Sequence, residues 1–259
     1  MTDRHLVVGA GPVGRHVAQL LAARGSDVVV ATRSGTDTGI AGITHLMLDA
    51  SDPKALTGAA EGSAVIYNCA NPTDYTRWDE FWPPLAAAFL IAAERSEAVY
   101  AITGNLYPYG PVNQPMHEGM TDAATDHKGR LRAGMWAEAK ALHDAGRIRT
   151  VEVRGSDYVG AGVGDNGHVT RQIPGALKGK RAWVIGKKDQ PHTFTDVLDT
   201  ARLRQVLGYP AVFLGSSPTR APSMYHLMSR PDLGDRVLYP QGGFTRLIEA
   251  VAGLAAVSY

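Results

Sequence analysis

Across residues 5–34 the chain passes from an apolar run through a glycine-rich turn into an amphipathic stretch and back to an apolar run. Leu6, Val7 and Val8 form one segment of strand character, and Asp27–Thr32 carries Val-Val-Val-Ala, a β-branched run suited to a parallel strand covered on both faces. Between them Val13, Val17, Leu20 and Leu21 recur at i, i+4, i+7 and i+8, the single stripe of a helix that Gly25 ends. The alternation continues, with strands predicted at 43–48, 64–68, 98–103 and 150–154. Helices are predicted from Pro53, across 78–95 and across 128–145, with Pro83 and Pro84 expected to kink or interrupt the second. Beyond Arg154 the texture changes. Gly155, Gly160, Gly162, Gly164 and Gly167 crowd into a short loop, suited equally to closing over a ligand or to plain surface. A strand at 181–185 and helices at 196–207 and 244–257 are expected beyond it.

Gly9, Gly11 and Gly14 stand in G-x-G-x-x-G spacing between the first strand and the first helix. In that context the motif predicts a dinucleotide site. The first glycine permits the tight turn, the second lets backbone amides reach a diphosphate, and the third brings helix and strand together. Pro12 and Val13 lie on the same turn, where the helix amino end offers free N–H groups to an anion. Repeated strand and helix behind this turn predict an α/β fold, a Rossmann-type doubly wound parallel sheet. Residues 1–259 read as one domain, with 155–259 a small carboxyl-terminal substrate region. The second strand ends in Thr32, Arg33 and Ser34, with no carboxylate before Asp37. A guanidinium and a hydroxyl suit the 2′-phosphate of NADP better than the ribose hydroxyl of NAD, so NADP is expected and NAD is the alternative.

Composition adds little: 259 residues, 44% hydrophobic, 20% charged and a net charge of +1 describe an ordinary globular chain. Charge near balance, with no run of five or more like charges and no apolar stretch of membrane-spanning length, points away from nucleic acid and membrane as partners. Residues 1–5 do not read as a signal peptide, because the short apolar run after them belongs to the first strand. Cys69 is the one cysteine, which excludes an internal disulfide and suits a reducing, cytoplasmic setting. No metal-ligand set is read from the sequence.

With these residues in hand, roughly 5–200 resembles the extended or atypical short-chain dehydrogenase/reductase superfamily, the group containing NAD-dependent epimerases and dehydratases. The resemblance rests on the glycine motif, on Asp49 after the third strand, and on Asn68, Cys69, Ala70 and Asn71 after the fourth. It continues through residues 105–111, 154–160 and 192–197 and fades from about Ala201, where residues 214–220 no longer read like the family. It implies that Asp49 contacts adenine and that Cys69, Ala70 and Asn71 line the cofactor. Asp49 is equally a helix cap or loop residue, and Asn68 and Asn71 are equally turn formers. It also implies homodimerisation through the long helices after the fourth and fifth strands; Trp78, Phe81 and Trp82 suit core or interface.

The resemblance further implies a Tyr-x-x-x-Lys pair on the helix after the fifth strand. Lys128 and Arg132 stand there instead. Arg132 at the lysine position is expected near the cofactor and Lys128 is an anchor or proton donor, the alternative being a solvated Lys/Arg face. Asn105 and Thr103 are candidates to polarise a substrate carbonyl. Tyr107 and Tyr109 are the nearby phenols, expected by strand-like alternation to point the same way, with Tyr107 favoured as proton donor and aromatic packing the alternative. The expected function is that of an NADP-dependent oxidoreductase or epimerase-like enzyme acting on a small carbonyl or hydroxyl compound. A large nucleotide-sugar is disfavoured by the short carboxyl-terminal third. A non-catalytic NADP-binding sensor or regulator is the alternative.

Overall fold

The glycine turn joins β1 (Arg4–Val8) to α1 (Pro12–Ala22), and β2 (Asp27–Thr32) pairs parallel to β1 from Arg4↔Asp27 to Val8↔Ala31. The computed structural model describes residues 3–72, 74–114, 116–164, 167, 171, 173–181 and 194–197. Next come β3 (Ile43–Met47), α2 (Pro53–Ala60), β4 (Ser63–Asn68), α3 (Trp78–Ser96), β5 (Val99–Asn105), α4 (His127–Asp144) and β6 (Arg149–Gly155). Their order in the sheet is β3-β2-β1-β4-β5-β6, parallel throughout. This is the doubly wound Rossmann order, with its switch point between β1 and β4.

Right-handed crossovers explain the layers. The sheet grows one way through β2 and β3 and the other way through β4 to β6, so crossover helices fall on opposite faces. Leu6, Val8, Val29, Ala31, Ile66, Tyr100 and Ile102 pack with α2, α3 and Ala139 of α4 on one face. Their neighbours Val7, Val28, Val30, Val65, Tyr67, Val99 and Ala101 pack with Val17, Ala18 and Leu21 of α1 on the other. Period-two alternation thus runs through strands that look uniformly apolar, because both faces are covered.

Two expectations need correction here. Pro83 and Pro84 do not interrupt α3, which runs unbroken through both. They lie in its second turn, and the carbonyls they leave unpaired belong to the exposed residues Asp79 and Glu80. Asp49 does not cap α2; Asp52 does, accepting from the backbone N–H of Lys54 (2.9 Å) and Ala55 (3.2 Å). Asp196 ends the short strand β8 (Phe194–Asp196), which pairs parallel to β7 (Asp157–Val159), and the chain turns helical at Val197, one residue past the expected start. Buried Phe194 and Thr195 hold β8 there, with the Thr195 hydroxyl accepting from Ser156 N–H at 2.9 Å. The one-turn helix α5 (Ile173–Ala176) follows the glycine loop. Arg181 has no regular structure, and the expected segments at 182–185, 198–207 and 244–257 lie outside the described residues.

Candidate functional site

A cleft of about 1210 Å³ opens over the carboxyl ends of β1, β2, β4, β5 and β6. Ligands of open α/β sheets bind at this edge, because the strand order reverses there and the loops part. Gly9 takes φ +100, where only glycine is unstrained, and donates its N–H to Ala31 O at 2.8 Å. A Cβ on it would lie 2.7 Å from Cys69 O. On Gly14 a Cβ would overlap the Gly9 carbonyl oxygen, whereas on Gly11 it would meet nothing within 4 Å. The first and third glycines therefore press turn, helix and β4 loop together, and the second faces open space. Gly11 leads into α1, whose amino end has no side-chain cap, so the N–H groups of Val13 and Gly14 have no intrahelical partner and Pro12 contributes none. The cradle fits a dinucleotide diphosphate: uncapped donors, a helix amino end and a bare glycine border a cleft large enough for the cofactor.

Exposed Arg33 and Ser34 line one end of the cleft at the tip of β2. Ser34 Oγ lies 2.6 Å from Thr36 Oγ1. Asp37, the first carboxylate after the strand, accepts from Gly39 N–H at 2.7 Å and lies 3.5 Å from His45. Asp49 lines the cleft as a turn former, accepting from Ser51 Oγ (2.7 Å) and Ser51 N–H (3.0 Å), and these bonds hold its carboxyl below the usual range. At the end of β4, Cys69, Ala70 and Asn71 line the cleft. Buried Asn68 accepts from Ala70 N–H (3.3 Å) and donates to the Tyr100 hydroxyl (3.1 Å), so it shapes this loop from behind.

Past the switch point, Thr103, Asn105, Tyr107 and Lys128 line the same cleft. Thr103 Oγ1 donates to Cys69 Sγ at 3.6 Å. Asn105 Oδ1 accepts from Tyr107 N–H at 3.1 Å, which leaves the carboxamide NH₂ to donate. Tyr107 and Tyr109 do not point the same way. They sit on a 3₁₀ turn, Tyr107–Tyr109, whose three residues per turn set positions i and i+2 about a third of a turn apart. Tyr107 reaches the cleft, while Tyr109 is buried with the Arg154 guanidinium 4.7 Å from its ring centre. Burial, and then the nearby Tyr75 and Asp157, push the Tyr107 phenol up to about 12.

Nor do Lys128 and Arg132 form a solvated face. Lys128 is half-buried, its Nζ 5.1 Å from the Tyr75 ring centre and 5.3 Å from that of Trp78. Arg132 is 4% exposed; it lines the cleft, but its guanidinium donates to Thr103 O at 3.2 Å and stacks 4.3 Å from the Trp82 ring centre. Behind it lies buried Glu152, which accepts from Arg154 Nε at 2.7 Å, and Arg154 in turn grips Asp122 with two bonds of 2.5 and 2.9 Å. Burial pushes the Glu152 carboxyl up against the pull of Arg154 and Arg132. The chain Arg132–Glu152–Arg154–Asp122 ties α4, β6 and the loop before α4 to the end of β5.

Tyr75, Asp126, Glu152 and Asp122 went unnoticed as candidates in the sequence. Glu152 carried a readable signal, a carboxylate inside the apolar run of a two-face-covered strand. Asp126 caps α4, accepting from Gly129 N–H at 2.8 Å, and lines the cleft. Trp78 and Trp82 prove to be core, each 2% exposed, with half-buried Phe81 edge-on to Trp82 at 5.4 Å. Among the described residues no group of three or more His, Cys, Asp or Glu side chains is placed to hold a metal ion, and no helix is long and apolar enough to cross a membrane.

The profile of the NAD dependent epimerase/dehydratase family matches residues 5–205. In fold the chain is similar to UDP-glucose 4-epimerase from Brucella ovis in complex with NAD, with a TM-score of 0.65 and 20% identity over 79% of this chain and 72% of that one. It is likewise similar to UDP-glucuronic acid 4-epimerase from Bacillus cereus in complex with NAD, with a TM-score of 0.67 and 18% identity over 77% and 71% of the two chains. Local sequence similarity links it to phytoene desaturase from Fusarium fujikuroi, 38% identical over 55 residues, and to carotenoid 3,4-desaturase from Haloarcula japonica, 36% over 59. Those matches take in 21% and 23% of this chain and only 10% and 12% of the desaturases.

Proposed function

The chain belongs to the NAD dependent epimerase/dehydratase family, and from that premise we propose that it is an NADP-dependent oxidoreductase or epimerase-like enzyme acting on a small carbonyl or hydroxyl compound. The observation that carries this reading is that one cleft is lined both by the glycine cradle and by Thr103, Asn105, Tyr107 and Lys128. Gly9, Gly11, Pro12, Val13 and Gly14 surround the diphosphate, Arg33 and Ser34 bind the 2′-phosphate, Asp49 borders the adenosine end, and Cys69, Ala70 and Asn71 line the dinucleotide's path. When bound, the nicotinamide supplies or accepts a hydride. The Asn105 amide polarises the substrate oxygen, with Thr103 beside it, and Tyr107 holds a proton for that oxygen on a phenol that stays neutral throughout the physiological range. Lys128 anchors the substrate from the aromatic wall. Arg132 acts through Thr103, whose carbonyl it holds.

The same arrangement supports a second reading, a non-catalytic NADP-binding sensor, because Arg132 at the family's lysine position is buried and committed to Thr103 O. Calorimetric NADPH titration followed by NADPH oxidation across a panel of small carbonyl compounds separates the two. The enzyme reading expects stoichiometric binding, turnover of at least one compound, and a fall in kcat of roughly a hundredfold in Tyr107→Phe. Binding without turnover, unaltered by Tyr107→Phe, leaves the sensor; absence of binding refutes both.

A further inference from the structure

We propose that the substrate end of the cleft takes a planar, uncharged aromatic carbonyl compound, an inference that rests on the enzyme reading above and names its substrate class. Three rings from three separate elements meet there. Tyr75 stands on a 3₁₀ turn (Tyr75–Arg77), Trp78 opens α3, and Tyr107 follows β5. Tyr75 and Trp78 have ring centres 4.9 Å apart at 31°, and Trp78 and Tyr107 5.9 Å apart at 22°. Both tyrosine rings therefore pack against the Trp78 indole. Trp78, 2% exposed, backs the wall, while Tyr75 and Tyr107 remain 43% and 38% exposed. Large aromatics left open in one cleft are unusual, since their burial elsewhere would stabilise the fold, and they fit a ligand with a flat apolar face. Val112 and Met116, from the loop before α4, extend the apolar lining.

Charge selects among flat ligands. The two cations at this end are already engaged, Lys128 against the Tyr75 and Trp78 rings and Arg132 with Thr103 O. Asp74 is near enough to Lys128 for their charges to interact, and Asp126 and Asp157 both raise the Tyr107 phenol. An anionic ligand entering this end would have to draw Lys128 off the two rings, whereas a neutral ketone or aldehyde needs no counter-charge. Its ring lies on the wall and its oxygen faces the donors left by Asn105 and Tyr107.

The test uses the full chain saturated with NADP⁺, so that no ketone is reduced, and measures dissociation constants by ligand-observed saturation-transfer NMR. Methyl naphthyl ketone is expected to bind at least about tenfold more tightly than cyclohexyl methyl ketone, which keeps the carbonyl and loses the flat ring, and more tightly than UDP-glucose. Tyr75→Ala and Tyr75→Leu are both expected to weaken the naphthyl ketone by about tenfold, the leucine variant keeping apolar bulk without a ring. Equal affinity for the two ketones, tighter binding of UDP-glucose, or parental affinity in both Tyr75 variants overturns the inference while the cofactor reading stands. Failure of NADP⁺ itself to bind overturns the reading beneath it.

Discussion

Replacing Gly14 with alanine sets helix propensity against a backbone contact. Inside a helix, alanine is favoured over glycine by about 1 kcal/mol, so propensity alone predicts a more stable protein. At Gly14 the added Cβ would enter the shell of the Gly9 carbonyl oxygen, 3.0 Å from the carbonyl carbon and 3.1 Å from Cys69 Cβ. A Cβ has no rotamer by which to escape, and Gly9 cannot yield, being bonded to Ala31 O and itself pressed against Cys69. The turn and α1 must therefore separate, against the packing of Val17, Ala18 and Leu21 on Val7, Val28 and Val30. Overpacking of this kind costs about 1–3 kcal/mol, which outweighs the propensity gain at the middle of that range. The controls are Gly58→Ala in α2 and Gly134→Ala in α4, exposed helical positions where a Cβ meets nothing within 4 Å. Urea unfolding should place Gly14→Ala about 1 kcal/mol below the parent and Gly134→Ala up to about 1 kcal/mol above it. Calorimetry should show NADPH affinity reduced at least about tenfold in Gly14→Ala alone, because the diphosphate cradle moves. A Gly14→Ala protein as stable as Gly134→Ala and binding NADPH like the parent would refute the close-contact argument.

Arg33→Glu should shift the ratio of NADPH to NADH affinity toward NADH by tenfold or more, since the substitution sets a carboxylate against the 2′-phosphate; an unchanged ratio removes Arg33 from that role. Glu152→Ala should cost about 3–5 kcal/mol, seen as a lowered Tm, because it leaves buried Arg132 without the carboxylate beside it and takes one of two carboxylates from Arg154, while parental Tm would show that they do not depend on it. The Tyr107 phenol, raised from 10.0 to about 12, keeps its proton in the folded chain after the unfolded chain has lost it, so stability falls as pH rises through that window. Tyr107→Phe should flatten that decline, and equal slopes in parent and variant would count against burial as its cause.

The half-site from residues 5 to 34 was legible because each of its signals is local: a strand-length apolar run, glycines at three fixed offsets, a helical stripe and a closing glycine. The remaining strands of the sheet were readable for the same reason, and their predicted ends lie within a few residues of the observed ones. The misjudged residues depended on neighbours distant in sequence. Tyr107 and Tyr109 were read as alternating along a strand, yet the chain turns as a 3₁₀ helix there, its backbone fixed by Asn105 before it and by Ala124 N–H on Pro108 O (2.9 Å) after it.

By itself, then, the sequence determined the doubly wound α/β class and the place of the dinucleotide turn, because hydrophobic period and glycine spacing act over a few residues. Only the tertiary structure decided what became of Lys128 and Arg132. One helix carries both, four residues apart, but Lys128 emerges against Tyr75 and Trp78, whereas Arg132 is buried under Trp82 between Thr103 and Glu152. No periodicity distinguishes those fates. Charge and spacing are the same for a solvated pair and for one drawn into a buried network, and what separates them is the partner that the fold brings from another strand.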